Sequence, residues 1–154
     1  MILKLSNLLD YILYQIEKPQ VLLKDEINHL MDYVSLEKMR FHDTLEVAIE
    51  TKINNENAQI APMLLIPFVE NSFKHGTIID GKLKVAIHIE TKGGNLFFEI
   101  MNSSIAENEA LKGIGLGNIE KRLNMLYPKS HKLLMNQIEN KFKIALEIHN
   151  LKSI

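Results

Sequence analysis

Two short stretches of this 154-residue chain carry residue types whose spacing could do chemistry. In Glu70-Asn71-Ser72-Phe73-Lys74-His75-Gly76, a carboxylate, an amide and two basic side chains follow one another on an apolar segment. The Asn71 oxygen is neutral and hard, a ligand type that Mg²⁺ accepts while waters and phosphate oxygens fill the rest of its shell. Glu70 could orient or deprotonate an attacking hydroxyl or imidazole. Lys74 and His75 could face phosphates as positive donors, with Asn71 and Lys74 on one helical face. In the second stretch, Gly113-Ile114-Gly115-Leu116-Gly117-Asn118, three glycines let backbone N–H groups approach an anion, and a helix following them points its positive end at the same place. Neither stretch decides alone, because the end of any solvated helix resembles the first and ordinary turns resemble the second. No Gly-Lys-Ser/Thr follows the glycines and no strand feeds directly into them, which sets aside the Walker loop and the dinucleotide fingerprint.

These residues need a scaffold, and the periodicity of the chain supplies one. Ile2, Leu5, Leu9, Ile12 and Ile16 step by three and four, the seam of a helix packed on another helix, and Pro19 ends it. A second helix reads from about Leu23 to Met39, with Asp25 and Glu26 as first-turn charges, Leu23, Ile27, Leu30 and Val34 as its apolar stripe, and Lys38 and Arg40 near its end. The period changes to two at Thr44, predicting a strand through Ile53. From Pro62 to Lys74 an apolar helix follows, in which Pro67 forces a kink or a two-part start, and Gly76 is its stop. Leu83 to Ile89 and Leu96 to Ile100 alternate around Gly93-Gly94-Asn95, a hairpin. After an aperiodic stretch from Asn102 to Lys112 comes a helix with Ile119, Leu123 and Leu126, then strands from Leu133 to Ile138 and around Phe142 to Ile148. Hairpins with interspersed helices predict an α+β fold: a mixed, mainly antiparallel sheet with helices on one face.

The two chemical stretches then fall into a wider pattern. Glu70-Asn71-x-x-Lys74-His75-Gly76 resembles the N box, and Gly113 to Asn118 the glycine box, of the GHKL ATPase superfamily, whose Bergerat-type α/β sandwich has this element order. More narrowly, Leu5 to Tyr11, Tyr33 to Phe41, Pro62-Met63-Leu64-Leu65-Ile66-Pro67 and Ile119 to Pro128 resemble LytS-like sensor histidine kinases, in the part that holds their ATP-binding domain. Residues 1–42 are then expected to be a helical hairpin left from the dimerisation and phosphoacceptor region, and 43–154 the ATP-binding domain. The resemblance implies Mg-ATP as cofactor, with Asn71 as Mg²⁺ ligand and Glu70 as activating carboxylate. Lys74 and His75 become phosphate-side contacts, and Gly113, Gly115 and Gly117 the hinge of an ATP lid, with Leu116 among its residues and Asn118 and Arg122 beside it. It implies phosphoryl transfer to a histidine, a response regulator as partner, LytTR-type regulators included, and a homodimer through the N-terminal helices.

Two departures qualify the pattern. Where the superfamily has Asp-x-Gly at the adenine, this chain has Asn102-Ser103-Ser104. Asn102 still offers an oxygen to the adenine amino group, but a neutral hydrogen bond contributes about 0.5–1.5 kcal/mol against about 1.5–3 for a charged one. That favours weaker nucleotide binding and leaves a degenerate, non-phosphorylating signalling module as the alternative. No Asn-Pro-His-Phe-like phosphoacceptor segment occurs. His29, His42, His88, His131 and His149 have no second ligand at metal spacing and read as packing or surface residues, with no zinc site expected.

The bulk composition agrees. Eighteen basic against 19 acidic residues leave a net charge of −1, no field for nucleic acid or an anionic membrane. The absence of Cys excludes thiolate chemistry and fits a reducing compartment. No apolar run approaches the roughly 20 residues of a membrane span. The expected location is the cytoplasm, with any membrane anchor in segments upstream.

Overall fold

The computed structural model describes residues 2–15, 17–105 and 114–153. Helix α1 (Ile2–Asp10) widens into a π-helical turn over Tyr11–Gln15, and the chain then enters β1 (Val21–Leu22) and the long α2 (Leu23–Phe41). There follow β2 (Leu45–Lys52), β3 (Gln59–Ile60), α3 (Ile66–His75), β4 (Leu83–Lys92), β5 (Asn95–Ser103), α4 (Ile114–Leu126), β6 (His131–Ile138) and β7 (Lys141–Ile148). Five strands form one sheet in the order β2-β4-β5-β7-β6; β2 runs parallel to β4 and every other pairing is antiparallel. The two-residue strands β1 and β3 pair separately, Val21 with Ile60 and Leu22 with Gln59.

Alternation explains which face is covered. Leu83, Val85, Ile87 and Ile89 of β4, Leu96, Phe98 and Ile100 of β5, and Phe142, Ile144, Leu146 and Ile148 of β7 are all buried, whereas their neighbours along each strand face outward or are only partly covered. The stripe of α2 (Leu23, Ile27, Leu30, Val34), the inner side of α3 (Phe68, Val69, Phe73) and that of α4 (Leu116, Ile119, Leu123) belong to the same continuous core. Phe68 meets Phe98 with ring centroids 5.6 Å apart. The fold is the expected α+β sandwich, a mainly antiparallel sheet with helices on one face. The boundary expected at residue 42 does not mark a break in the core, since α2 shares it with the sheet. Gly93 and Gly94 both have positive φ (59° and 79°), as the tight turn between β4 and β5 requires.

The first helix is oriented differently from the expectation. Leu5 and Leu9, read as its packed seam, are 46% and 49% exposed, and the contact with α2 is made through Leu8 and Tyr11. Apolar residues occur on more than one side of this helix, so a three-four step can be drawn along the wrong one. Pro67 neither kinks nor splits α3 but lies in its first turn, where a missing N–H leaves no intrahelical bond unmade.

Candidate functional site

α3 carries the first chemical stretch. Ile66, Phe68, Val69 and Phe73 anchor it in the core and leave Glu70 and Lys74 exposed on the outer side. Asn71 lies between these faces, 9% exposed, and its side chain makes no hydrogen bond among the described residues. Its amide atoms are not sealed in the core, so they can meet water or a ligand. Glu70 looks toward α2: the Tyr33 hydroxyl there is pushed up by burial, with the carboxylates of Glu37 and Glu70 adding to the effect, and the Tyr33 ring stacks on Phe73 at 5.9 Å. His75 is held below the usual imidazole value by burial and by neighbouring Lys74, so it is neutral at pH 7.

The end of α3 meets the end of β5. Gly76 closes the helix, as expected, by donating its N–H to the Ser72 carbonyl at 3.0 Å, with an extended backbone (φ −67°, ψ 157°). Its glycine is required by space: a Cβ there would stand 2.4 Å from Leu83 Cδ1, 2.6 Å from the Ser72 oxygen and 3.3 Å from Asn102 Nδ2. Asn102 is 4% exposed and donates from Nδ2 to the Ser103 carbonyl at 3.1 Å, leaving Oδ1 as an acceptor without a donor among the described residues. Ser103 Oγ accepts from the Lys84 N–H (3.1 Å) and donates to the Thr77 carbonyl (2.7 Å), which ties the chain after Gly76 to β4 and β5. Gly76 and Asn102 thus meet at one junction at the end of the sheet, and Asn71 lies on the helix that ends there.

The glycine stretch is only partly described. Gly113 lies outside the described residues, and Gly115, Leu116 and Gly117, expected before the helix, are inside the first turn of α4. Leu116, expected at the nucleotide, is 3% exposed in the core, while Asn118 is exposed and the position of Gly117 has open space around it. Arg122, also expected beside the nucleotide, commits its guanidinium elsewhere: Nη1 donates to the Met63 carbonyl at 2.7 Å and Nη2 to the Pro62 carbonyl at 2.5 Å.

That contact leads to residues the sequence reading missed. Glu26 has no exposed surface; its carboxylate accepts from the Tyr11 hydroxyl, from the Met63 N–H at 3.0 Å and from the Leu65 N–H at 3.3 Å. Burial raises its pKa, against the pull of these donors and of Arg122. The Tyr127 hydroxyl accepts from the Ala61 N–H at 3.0 Å. Only one signal for Glu26 existed in the sequence: it precedes Ile27 in the buried stripe and stands three residues after Leu23, a place on the inner side of α2. Half-buried His29 stacks on Tyr11 with centroids 3.9 Å apart, in keeping with a packing role. Among the described residues, no group of acidic, His or Cys side chains forms a metal cluster, and no helix is long and apolar enough to cross a membrane.

Comparison with known proteins agrees with this geometry. A histidine kinase family model matches residues 1–45. Over 107 residues, 67% of the chain, the sequence is 35% identical to the sensor histidine kinase BtsS of Escherichia coli K12, and over 146 residues, 95% of the chain, it is 27% identical to the sensor protein kinase HptS of Staphylococcus aureus. These matches span only 19% and 27% of those proteins. The catalytic domain of the histidine kinase ThkA superposes with a TM-score of 0.63 at 19% identity, covering 85% of this chain and 95% of that one. ThkA in complex with the response regulator protein TrrA gives 0.58 at 16% identity, covering 97% of this chain and 48% of that one. Full-length ShkA in complex with AMPPNP gives 0.58 at 16% identity, covering 88% and 32%. The chain belongs to the sensor histidine kinases, and its sandwich of sheet and helices has the fold of their catalytic domains.

Proposed function

We propose that this chain is the ATP-binding catalytic module of a two-component sensor histidine kinase, which passes the γ-phosphoryl group of Mg-ATP to a histidine for relay to a response regulator. The observation that carries this reading is Asn71, 9% exposed on α3, whose amide has no hydrogen-bond partner among the described residues and is open to a ligand rather than sealed in the core. Its neutral oxygen suits one position of a Mg²⁺ shell otherwise filled by phosphate and water. The Oδ1 of Asn102, without a donor among the described residues, suits the adenine amino group, since its Nδ2 is already engaged with Ser103. Relatives with a bound nucleotide analogue or a bound response regulator share the fold and lend the reading support.

In this reading Mg²⁺ would supply charge neutralisation at the transferring phosphate, and the chain's own residues position and polarise. Asn71 would hold the metal through its Oδ1. Glu70, exposed beside it, orients the attacking imidazole and accepts its proton. Lys74 supplies positive charge toward the phosphates, while His75, neutral at pH 7, donates as an uncharged imidazole. Gly115, Gly117 and Asn118, at the start of α4, form the lid side. The α1 face bearing Leu5 and Leu9 is where a second subunit packs.

The alternative, a signalling module that binds nucleotide or protein without phosphotransfer, draws on Asn102 and Ser104 in place of Asp and Gly. Calorimetric titration with ADP and a non-hydrolysable ATP analogue, with and without Mg²⁺, separates the two from an empty fold. The expected result is saturable, Mg²⁺-dependent binding that Asn71→Ala abolishes without changing the circular dichroism spectrum. Unchanged binding in a folded Asn71→Ala chain removes the site assignment. Labelling of a phosphoacceptor helix supplied in trans distinguishes the kinase from the non-phosphorylating module.

A further inference from the structure

Loop 61–65, the segment that delivers the chain into α3, is held by side chains from two other helices. Met63 at its centre has a left-handed backbone (φ 58°), a conformation that bulky residues adopt rarely and keep only when their surroundings enforce it. Here the enforcement is double. Its N–H is held by the Glu26 carboxylate from α2 and its carbonyl by the Arg122 guanidinium from α4. Glu26 also takes the Leu65 N–H, Arg122 the Pro62 carbonyl and Tyr127 the Ala61 N–H. Tyr11 donates its hydroxyl to the same Glu26 oxygen that takes the Met63 N–H, at the residue where α1 changes to π-helical winding. The pairing of β1 with β3 and the Leu23 N–H to Ala58 carbonyl bond (2.8 Å) pin the start of α2 to the same segment.

A buried carboxylate is a poor source of stability compared with apolar packing, but one whose oxygens are taken by fixed backbone N–H groups holds one geometry against others. A glycine at position 63 would give the same turn without strain. The arrangement is therefore organised around position. We propose that Glu26 and Arg122 are positioning residues of the nucleotide site: through the strained 61–65 loop they set where α3 begins and fix α4 relative to α2. A shift of the α1–α2 hairpin is thereby delivered to Asn71 and to the first turn of α4. The inference rests on the nucleotide-binding reading for its functional consequence, but the latch itself can be tested without nucleotide.

The test compares the whole chain with Glu26→Gln, Arg122→Lys and the double variant by amide hydrogen exchange in nucleotide-free protein. Glu26→Gln is expected to speed exchange about tenfold at Met63 and Leu65, in the early turns of α3, and along Leu123 to Tyr127 of α4, with β4 and β5 unchanged. A change confined to Met63 and Leu65, with α4 as in the parent, overturns the latch. The affinity for Mg-ADP is then expected to fall about three- to tenfold in each single variant and no further in the double, because both act through one loop. Full multiplication of the two effects, or unchanged affinity in a variant whose α3 and α4 exchange has risen, overturns the positioning role. A parent chain that binds no nucleotide refutes the reading of the site, and the exchange data still decide the latch. Where Glu26→Gln fails to fold, Tyr11→Phe keeps the carboxylate and the ring and is expected to speed exchange in α4 to a smaller extent; unaltered α4 exchange in it overturns the proposal.

Discussion

Single side chains decide how well this site can work. Asn102 is 4% exposed, gives its Nδ2 to the Ser103 carbonyl and keeps Oδ1 as the acceptor. Asn102→Asp would exchange a neutral acceptor for a charged one, a gain of about 1 kcal/mol or somewhat more at the adenine. It would also set a carboxylate oxygen against the Ser103 carbonyl. The expected outcome is tighter ADP binding, up to about tenfold by calorimetry, together with a lower Tm; weaker binding would show that Asn102 is not the adenine acceptor. Glu26 makes a second prediction at this scale. Burial raises its pKa despite Tyr11, the Met63 and Leu65 N–H groups and Arg122. The native state then holds the proton more tightly than the unfolded chain, so the contribution is complete below about pH 4.3 and is lost as pH rises through the folded value. Glu26→Gln cannot lose a proton there. The Tm of the parent chain, taken relative to that of the variant, is expected to fall as pH rises above about 4.3 and through the raised folded value; a difference that grows in favour of the parent would reverse the assignment. A carboxylate whose partners stand 37 and 39 residues away leaves no local pattern, which is why Glu26 reads in sequence as an ordinary first-turn charge.

Secondary elements were legible where burial repeats with a period. The alternation in β4, β5 and β7 and the stripe of α2 each expose one face to the core over several repeats, and the sequence predicts these elements on the correct side. Strands β1 and β3 have two residues each and therefore no period to read. Along α1 and the π-helical turn that follows it, the leucines at 3, 5, 8, 9 and 13 surround the axis, and only the position of α2 selects Leu8 and Tyr11 as the inner side. The N-box segment was legible in type and order, but the reason for its glycine was not. Gly76 has no positive φ; it is small because Leu83 and the Ser72 carbonyl come within Cβ contact distance. Gly76→Ala is accordingly expected to lower stability by about 1–3 kcal/mol, as overpacking does, and to weaken nucleotide binding by displacing Asn102. Thermal denaturation with and without ADP measures both, and an alanine variant as stable as the parent would mean that the α3–β5 junction is looser than its distances indicate.

At the scale of the molecule, α2 and the sheet form one core, and α1 is the element that shows apolar surface. Leu5, Leu9 and Leu13 are 46%, 49% and 62% exposed on a helix whose inner side is already satisfied by Leu8 and Tyr11. Apolar exposure repeated along one helix is the usual mark of a face that another helix covers. The sensor-kinase reading supplies the occupant, a second copy of this chain packing α1 against its counterpart in a helical bundle. Leu5→Glu combined with Leu9→Glu places like charges in that contact while altering nothing in the core, so the Tm of the monomer and its nucleotide affinity are expected to stay within about 0.5 kcal/mol of the parent. Sedimentation equilibrium is expected to find the parent associating and the double variant monomeric. A parent that remains monomeric, or a double variant that associates as the parent does, would take the α1 face out of the assembly and leave its leucines to some other neighbour. Nucleotide binding and the latch at Met63 would be untouched by that result, since both lie on the side of α2 that shares its core with the sheet.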